Sequence, residues 1–142
     1  MKKILKATSL LALVLAYLFC MTACGNAVNK TDLWENATYL QDTTFGEGSK
    51  TVVVEVTAEE KTVTFTVKTD EKTVGAALLA HDLIAGDQGA YGLYLKVANG
   101  ITADYDIDKS YWAFYVDGEY ANAGVDSTEI AEGVKYQLVY TK

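Results

Sequence analysis

The chain has 142 residues and a mass of 15.4 kDa, which is enough for one domain of ordinary size and too little for two. Its 12 basic residues are all lysine and face 19 acidic residues, so the formal net charge is −7 at pH 7. A chain this acidic has no basic patch to neutralise phosphates, which argues against a nucleic-acid partner. A hydrophobic content of 50% excludes intrinsic disorder, and two cysteines exclude a scaffold of several disulfides.

The first 23 residues have the pattern of a bacterial lipoprotein signal peptide. Three lysines precede an apolar run over residues 7–19, and small side chains precede Cys24. We expect cleavage before Cys24 and attachment of lipid to its thiol. This would place the protein on the extracellular face of a bacterial cell membrane. The pattern leaves open an uncleaved membrane anchor and plain secretion.

Lipidation would have two consequences for the mature chain. Removal of residues 1–23 takes away three lysines and lowers the formal charge from −7 to −10. Two acyl chains, such as palmitate, on Cys24 suffice for stable anchoring. Because lipidation uses the one cysteine that remains, no disulfide stabilises the mature fold.

The mature chain divides into residues 24–49, a tether with an aromatic lead-in, and residues 50–142, a folded domain. The lead-in carries Trp34, Tyr39 and Phe45, which we expect to pack onto the domain. Alternation of valine with polar residues then predicts an antiparallel hairpin of two strands.

A helical pattern follows, with Thr73 as the N-cap, an apolar stripe that reaches Ile84, and Gly86 as the end. Residues 87–90 separate this helix from the next strand.

The remaining pattern is again that of strands. Residues 91–97 and 111–116 alternate, and the Asn99–Gly100 and Asp117–Gly118 pairs predict tight turns. Residues 101–109 are expected to form an acidic loop, and residues 134–140 a closing strand. The order of elements predicts an α+β fold: a β-grasp-like mixed sheet with one packed helix, after an N-terminal signal peptide.

The residues needed for catalysis are scarce. His81 is the only histidine, and no nucleophile motif or phosphate-binding glycine loop accompanies it. We therefore expect no enzymatic activity and no required cofactor. The acidic loop resembles the start of a calcium site, but Lys109 and Tyr115 replace the glycine and glutamate that such a site needs. We expect a solvated loop and no metal site.

Tyrosine is unusually common, with 10 residues against four Phe and two Trp. Alternation along residues 111–116 places Trp112 and Phe114 on one face, which we expect to meet the helix, and Tyr111 and Tyr115 on the other. Tyrosine combines a flat apolar body with a polar rim, as binding surfaces often require. The second face is either an open ligand platform or covered by the aromatic lead-in.

Three segments resemble the transcobalamin-like C-terminal domain family, small domains of unassigned function in Gram-positive surface lipoproteins. They are Tyr91–Leu95, Asn99–Ile101 and the run YWAFYVDGEYANAGV over residues 111–125. The resemblance extends over residues 51–142. In animal cobalamin carriers, the related domain is one half of a clamp that presses on a corrinoid held by a larger helical domain.

The resemblance implies a cobalamin or other corrinoid ligand and a set of candidate contact residues: Tyr91, Gly92, Leu93, Tyr94, Tyr111, Trp112, Phe114 and Tyr115. The chain is too short to contain the helical half of the clamp. Either a second binding subunit or transporter supplies that half, or the ligand differs. An alternative function is a structural or adhesive module whose sheet edge pairs with another surface protein or with wall polymer.

Overall fold

Two β-sheets organise residues 32–142, the part of the chain that the computed structural model describes. The signal peptide, the lipidation of Cys24 and the tether up to Thr31 lie outside these residues. Within them, one sheet has six strands in the order β1-β3-β2-β9-β7-β8 and the other has three in the order β4-β5-β6. The strands are β1 (Thr43–Phe45), β2 (Lys50–Ala58), β3 (Lys61–Thr69), β4 (Ile84–Gly89), β5 (Gly92–Ala98), β6 (Ile101–Thr102), β7 (Tyr111–Val116), β8 (Glu119–Tyr120) and β9 (Lys135–Thr141).

The six-stranded sheet has a β-grasp arrangement. β2 forms an antiparallel hairpin with β3 and runs parallel to β9, so that the first long strand and the last lie side by side at the centre. Along β2, Val52, Val54 and Val56 are buried and alternate with partly exposed residues. The predicted α+β class and the mixed sheet are confirmed. The sequence pattern did not reveal that β4–β6 form a sheet of their own.

The aromatic lead-in packs onto the domain as predicted. Trp34, in a 3₁₀ turn at Leu33–Asn36, is 4% exposed, and its indole Nε1 donates to the Ala58 carbonyl at 2.9 Å. Phe45 packs against Phe65, with ring centroids 5.9 Å apart, and β1 adds an edge strand beside β3.

Helix α1 (Val74–Leu79) is shorter than the predicted helix. Thr73 is the N-cap as expected, because its hydroxyl accepts from the Ala76 N–H at 3.2 Å. The prediction that the helix continues past Ile84 to Gly86 is wrong. Asp82 adopts a left-handed backbone conformation (φ 54°), which ends the helical path, and Ile84 begins β4.

The sequence pattern did not predict β4, which continues to Gly89. Residues 101–109 contain β6 and a short helix, α2 (Tyr105–Asp108), and are not a simple loop. The two predicted hairpin turns are confirmed: Asn99–Gly100 and Asp117–Gly118 have positive φ at all four residues.

Gly86 allows close contact between β4 and β5, since a Cβ atom there would lie 2.0 Å from the Tyr94 carbonyl oxygen. We expect Gly86→Ala to lower the free energy of unfolding by about 2–3 kcal/mol, because backbone must move to admit the methyl group. Gly89→Ala is the matched control in the same strand, where the nearest atom lies 3.5 Å away. Urea unfolding of both variants would measure the difference, and equal losses would contradict this role of Gly86.

Within residues 32–142, no helix has the length and apolar character needed to cross a membrane.

Candidate ligand-binding groove

A cavity of about 340 Å³ lies where the two sheets meet. Its walls come from β5, β7 and the segment that follows β8, and we call it the groove. None of its lining residues is charged. They are Leu93, Tyr94, Leu95, Tyr111, Trp112, Phe114, Tyr120, Ala121, Asn122, Ala123, Gly124 and Val125.

The groove exists because β8 has only two residues. The Ala121 N–H donates to the Phe114 carbonyl at 2.9 Å, after which the chain leaves the sheet for a 3₁₀ turn at Val125–Ser127. Strand alternation turns the main-chain N–H and C=O of Trp112 toward the same edge as those of Phe114. The groove therefore occupies the place that a longer β8 would fill.

Two buried aromatic side chains form a fixed wall. Trp112 is 6% exposed, and its Nε1 donates to the Ile101 carbonyl at 3.2 Å. Phe114 stacks on Tyr136, with ring centroids 6.2 Å apart and planes at 17°. These contacts fix both rings, so the wall is formed before any ligand arrives.

The rim of the groove carries exposed tyrosines. Tyr94 and Tyr120 are 50% and 62% exposed. The Lys96 Nζ lies 6.0 Å from the centre of the Tyr94 ring and pairs with Asp87 at 2.9 Å. The hydrogen bond that Lys96 donates to Asp87, together with the nearby negative charges, raises the pKa of Lys96. The lysine at this rim is thus already engaged by a carboxylate.

Five of the eight candidate contact residues line the groove: Leu93, Tyr94, Tyr111, Trp112 and Phe114. The other three do not. Tyr91 is fully exposed in the turn between β4 and β5, Gly92 lies against the Asp126 carboxylate, and Tyr115 packs edge-on against Tyr120 at 5.5 Å.

Trp112 lies on the buried face of the six-stranded sheet, as expected, and shares one hydrophobic core with Val74 and Leu78 of α1. Trp112 hydrogen-bonds to β6 and lines the groove opposite β5, because the second sheet covers that face of β7. Tyr111 and Tyr115 are half-buried, so their face is neither fully open nor fully covered.

Sequence reasoning did not select Tyr120–Val125, which forms the third wall. The signal was present, since a run of small residues, Ala121 to Gly124, follows a tight turn and cannot fill the space beside β7.

Comparison with known proteins places this fold in a family. The model of the family described as "Domain of unknown function (DUF4430)" matches residues 71–142, just over half of the chain. The chain belongs to this family. The DUF4430 match includes every strand and side chain that lines the groove. No curated protein matches the chain.

The solved structures that are similar to this DUF4430 protein include the following two. A "putative metal binding protein" from Ruminococcus gnavus ATCC 29149 is 28% identical, with a TM-score of 0.63, over 66% of this chain and 98% of that one. Haptocorrin in complex with Cbi is 22% identical, with a TM-score of 0.51, over 69% of this chain and 26% of that one. The chain thus corresponds to about a quarter of haptocorrin, and the likeness supports a transcobalamin-like fold.

The acidic segment of the DUF4430 domain is organised by its own hydrogen bonds. Asp104 caps α2 by accepting from the Asp106 N–H at 3.0 Å, and Asp108 accepts from the Ser110 N–H and hydroxyl. Among residues 32–142, no three His, Cys, Asp or Glu side chains come together in a way that could hold a metal ion. His81 lies elsewhere, with its ring on Phe45 at 5.4 Å.

Asp108 makes stability depend on pH. Hydrogen bonds from Ser110, with help from Lys142, lower the pKa of Asp108 from 3.8 to about 2. A carboxyl with a depressed pKa stabilises the fold above its unfolded pKa, and the contribution is lost as pH falls from about 4 to 2. We expect the urea midpoint of the protein to fall over this range more steeply than that of Asp108→Asn. Parallel curves for the two proteins would show that Asp108 plays no such part.

Proposed function

We propose that this protein is a lipid-anchored extracellular binding protein without catalytic activity, and that its groove receives a flat, bulky ligand of the corrinoid type. The observation that carries the proposal is the groove itself: an uncharged cleft with a fixed aromatic wall and exposed tyrosines at its rim. Ligand sites are typically apolar clefts with a few well-placed polar groups, and this groove has that composition.

The chemistry of a corrin suits this cleft. A corrin is broad and flat, and its edges carry carboxamides. Aromatic rings such as Tyr94 and Tyr120 suit its faces, while the open main chain of Trp112 offers a donor and an acceptor to an edge amide. The fold shared with haptocorrin, which was solved in complex with Cbi, supports this ligand class.

The size of the groove indicates a shared site. At about 340 Å³ it lies at the low end of ligand pockets, which span roughly 300–1,000 Å³. One edge of a corrinoid can enter, and the remainder stays outside. A second binding subunit or a transporter would cover that remainder, as the helical half does in the clamp of the transcobalamin-like family.

A titration with cobinamide or cyanocobalamin tests the proposal. Trp112 lines the groove, so binding should change tryptophan fluorescence after correction for ligand absorbance, with saturation in the micromolar range expected for a half-site. Calorimetry provides a readout that does not depend on absorbance. A flat response in both methods at high micromolar ligand would overturn the proposal.

The second candidate function is a module that pairs through a sheet edge. Five of the six residues of β4, Ala85 to Gly89, are exposed, and within residues 32–142 no strand pairs with its outer edge. Such an edge can accept a strand from another surface protein. Gln88→Pro would remove a hydrogen-bond donor from that edge. If this variant no longer pulls down a partner from cell-envelope extract but still gives the same corrinoid titration, the result would favour this function. Retained capture would argue against it.

A further inference from the structure

The surroundings of the groove are strongly acidic, although its lining is uncharged. Residues 32–142 carry all 19 acidic side chains but only 8 of the 12 lysines, a formal charge of −11. Carboxylates outnumber lysines beside the residues that line the groove. Asp126 accepts from the Leu93 N–H, and Glu119 precedes Tyr120. Of the two lysines, Lys96 lies beside the Tyr94 ring and experiences the charges of Asp87, Asp104 and Asp106, and Lys109 lies over Tyr105, which packs against Tyr111.

Both lysines already have a partner. Lys96 pairs with Asp87 at 2.9 Å and also lies near Asp104 and Asp106. The Lys109 Nζ lies over the Tyr105 ring, 4.7 Å from its centre, where the π-face already engages the charge. Because carboxylates outnumber these two lysines, the net field at the groove is negative and opposes an anionic ligand.

Asp126 brings a further negative charge against the wall of the groove. Its Oδ2 accepts from the Leu93 N–H at 2.9 Å, while its Oδ1 is buried without a hydrogen-bond partner among the described residues. Gly92 and Gly124 flank this carboxylate and have no side chain to screen it: a Cβ atom on either would lie within 3.1 Å of Oδ1. Burial away from water strengthens the field of the carboxylate in the adjacent cleft.

We propose that the groove selects by charge: among corrinoids it takes neutral and cationic forms and rejects forms that carry a free phosphate or carboxylate. This inference rests on the proposed function and deepens it. The selectivity arises from the acidic surroundings and the engaged lysines, so it acts at a distance and does not need contact between a carboxylate and the ligand.

A matched pair of ligands tests the inference. Cobinamide and cobinamide phosphate differ by one phosphate group, and their dissociation constants would be measured by calorimetry at 10 mM and 500 mM salt. We expect cobinamide to bind about 10-fold more tightly at low salt and about 2-fold more tightly at high salt, because the Debye length shortens from ~30 Å to a few Å.

Single substitutions test whether the carboxylates cause the preference for cobinamide. Asp126→Asn keeps an acceptor for the Leu93 N–H and removes the charge, and Asp106→Asn removes a second charge, which acts on Lys96. Each should lower the ratio of the two dissociation constants at low salt by about 2- to 3-fold. Glu59→Gln, which removes the same charge in the turn between β2 and β3, is the control and should leave the ratio unchanged.

The outcomes separate the two proposals. If neither ligand binds, the proposed function is overturned, and the charge selectivity with it. If both bind equally at low salt, or the phosphate form binds more tightly, only the charge selectivity is overturned. A preference for cobinamide that changes neither with salt concentration nor in the aspartate variants would have a steric cause and would also overturn the charge selectivity.

Discussion

Replacing Asn99 by alanine should lower the free energy of unfolding by about 3 kcal/mol. Asn99 is fully buried, and its side chain makes two hydrogen bonds to the main chain of Tyr39 in the lead-in. Nδ2 donates to the Tyr39 carbonyl and Oδ1 accepts from the Tyr39 N–H, both at 2.8 Å. Alanine would leave both Tyr39 groups without partners, at about 1–3 kcal/mol each before relaxation. It would also strain a left-handed residue, since φ is 49°. Urea unfolding measures the loss.

Asn99→Gly separates the two causes. Glycine adopts positive φ without strain but makes no side-chain hydrogen bond. It should recover about 1 kcal/mol relative to alanine and remain well below the wild type. If either variant unfolded at the wild-type midpoint, the lead-in would not depend on this contact.

Removing both rim tyrosines, Tyr94→Ala with Tyr120→Ala, should weaken cobinamide binding by about 10- to 100-fold. Each ring offers a flat apolar surface at the mouth of the groove. Its removal should weaken the binding free energy of a flat ligand by about 1 kcal/mol or more. Both rings are at least half exposed, so the fold should persist. Calorimetry measures the affinity, and circular dichroism checks the fold.

Tyr91→Ala is the matched control for the rim. Tyr91 is equally aromatic and more exposed, but it lies in the β4–β5 turn outside the groove. Its removal should change affinity by less than 2-fold. Equal losses from Tyr91→Ala and the rim pair would show that the ligand, if bound, lies elsewhere.

Local rules predicted the elements whose determinants are close in sequence. The β2–β3 hairpin follows from valines at every second position. The Asp117–Gly118 turn follows because both of its residues tolerate the positive φ angles that a two-residue hairpin turn requires. The Thr73 cap follows from its hydroxyl. In each case, the residues that decide the structure lie within a few positions of one another.

The errors arise where tertiary contacts decide. Leu83 and Ile84 continue the helical stripe but are buried after a left-handed Asp82 that no pattern marks. The helical pattern predicts Gly86 as the end of a helix, whereas the structure requires glycine there because the Tyr94 carbonyl of another strand approaches closely.

The groove was predicted only in part for the same reason. The sequence identified the aromatic strand β7, but the cavity depends on where β8 stops and on the second sheet opposite. Tyr120–Val125 could be recognised only once both walls were known.

Amide chemical-shift mapping with cobinamide would locate the bound ligand on the protein. In ¹⁵N-labelled protein, we expect saturable shifts at the backbone amides of 93–95, 111–114 and 121–125, with little change along β2 and β3. Shifts confined to β4, or none at millimolar ligand, would contradict the assignment of the groove as the binding site.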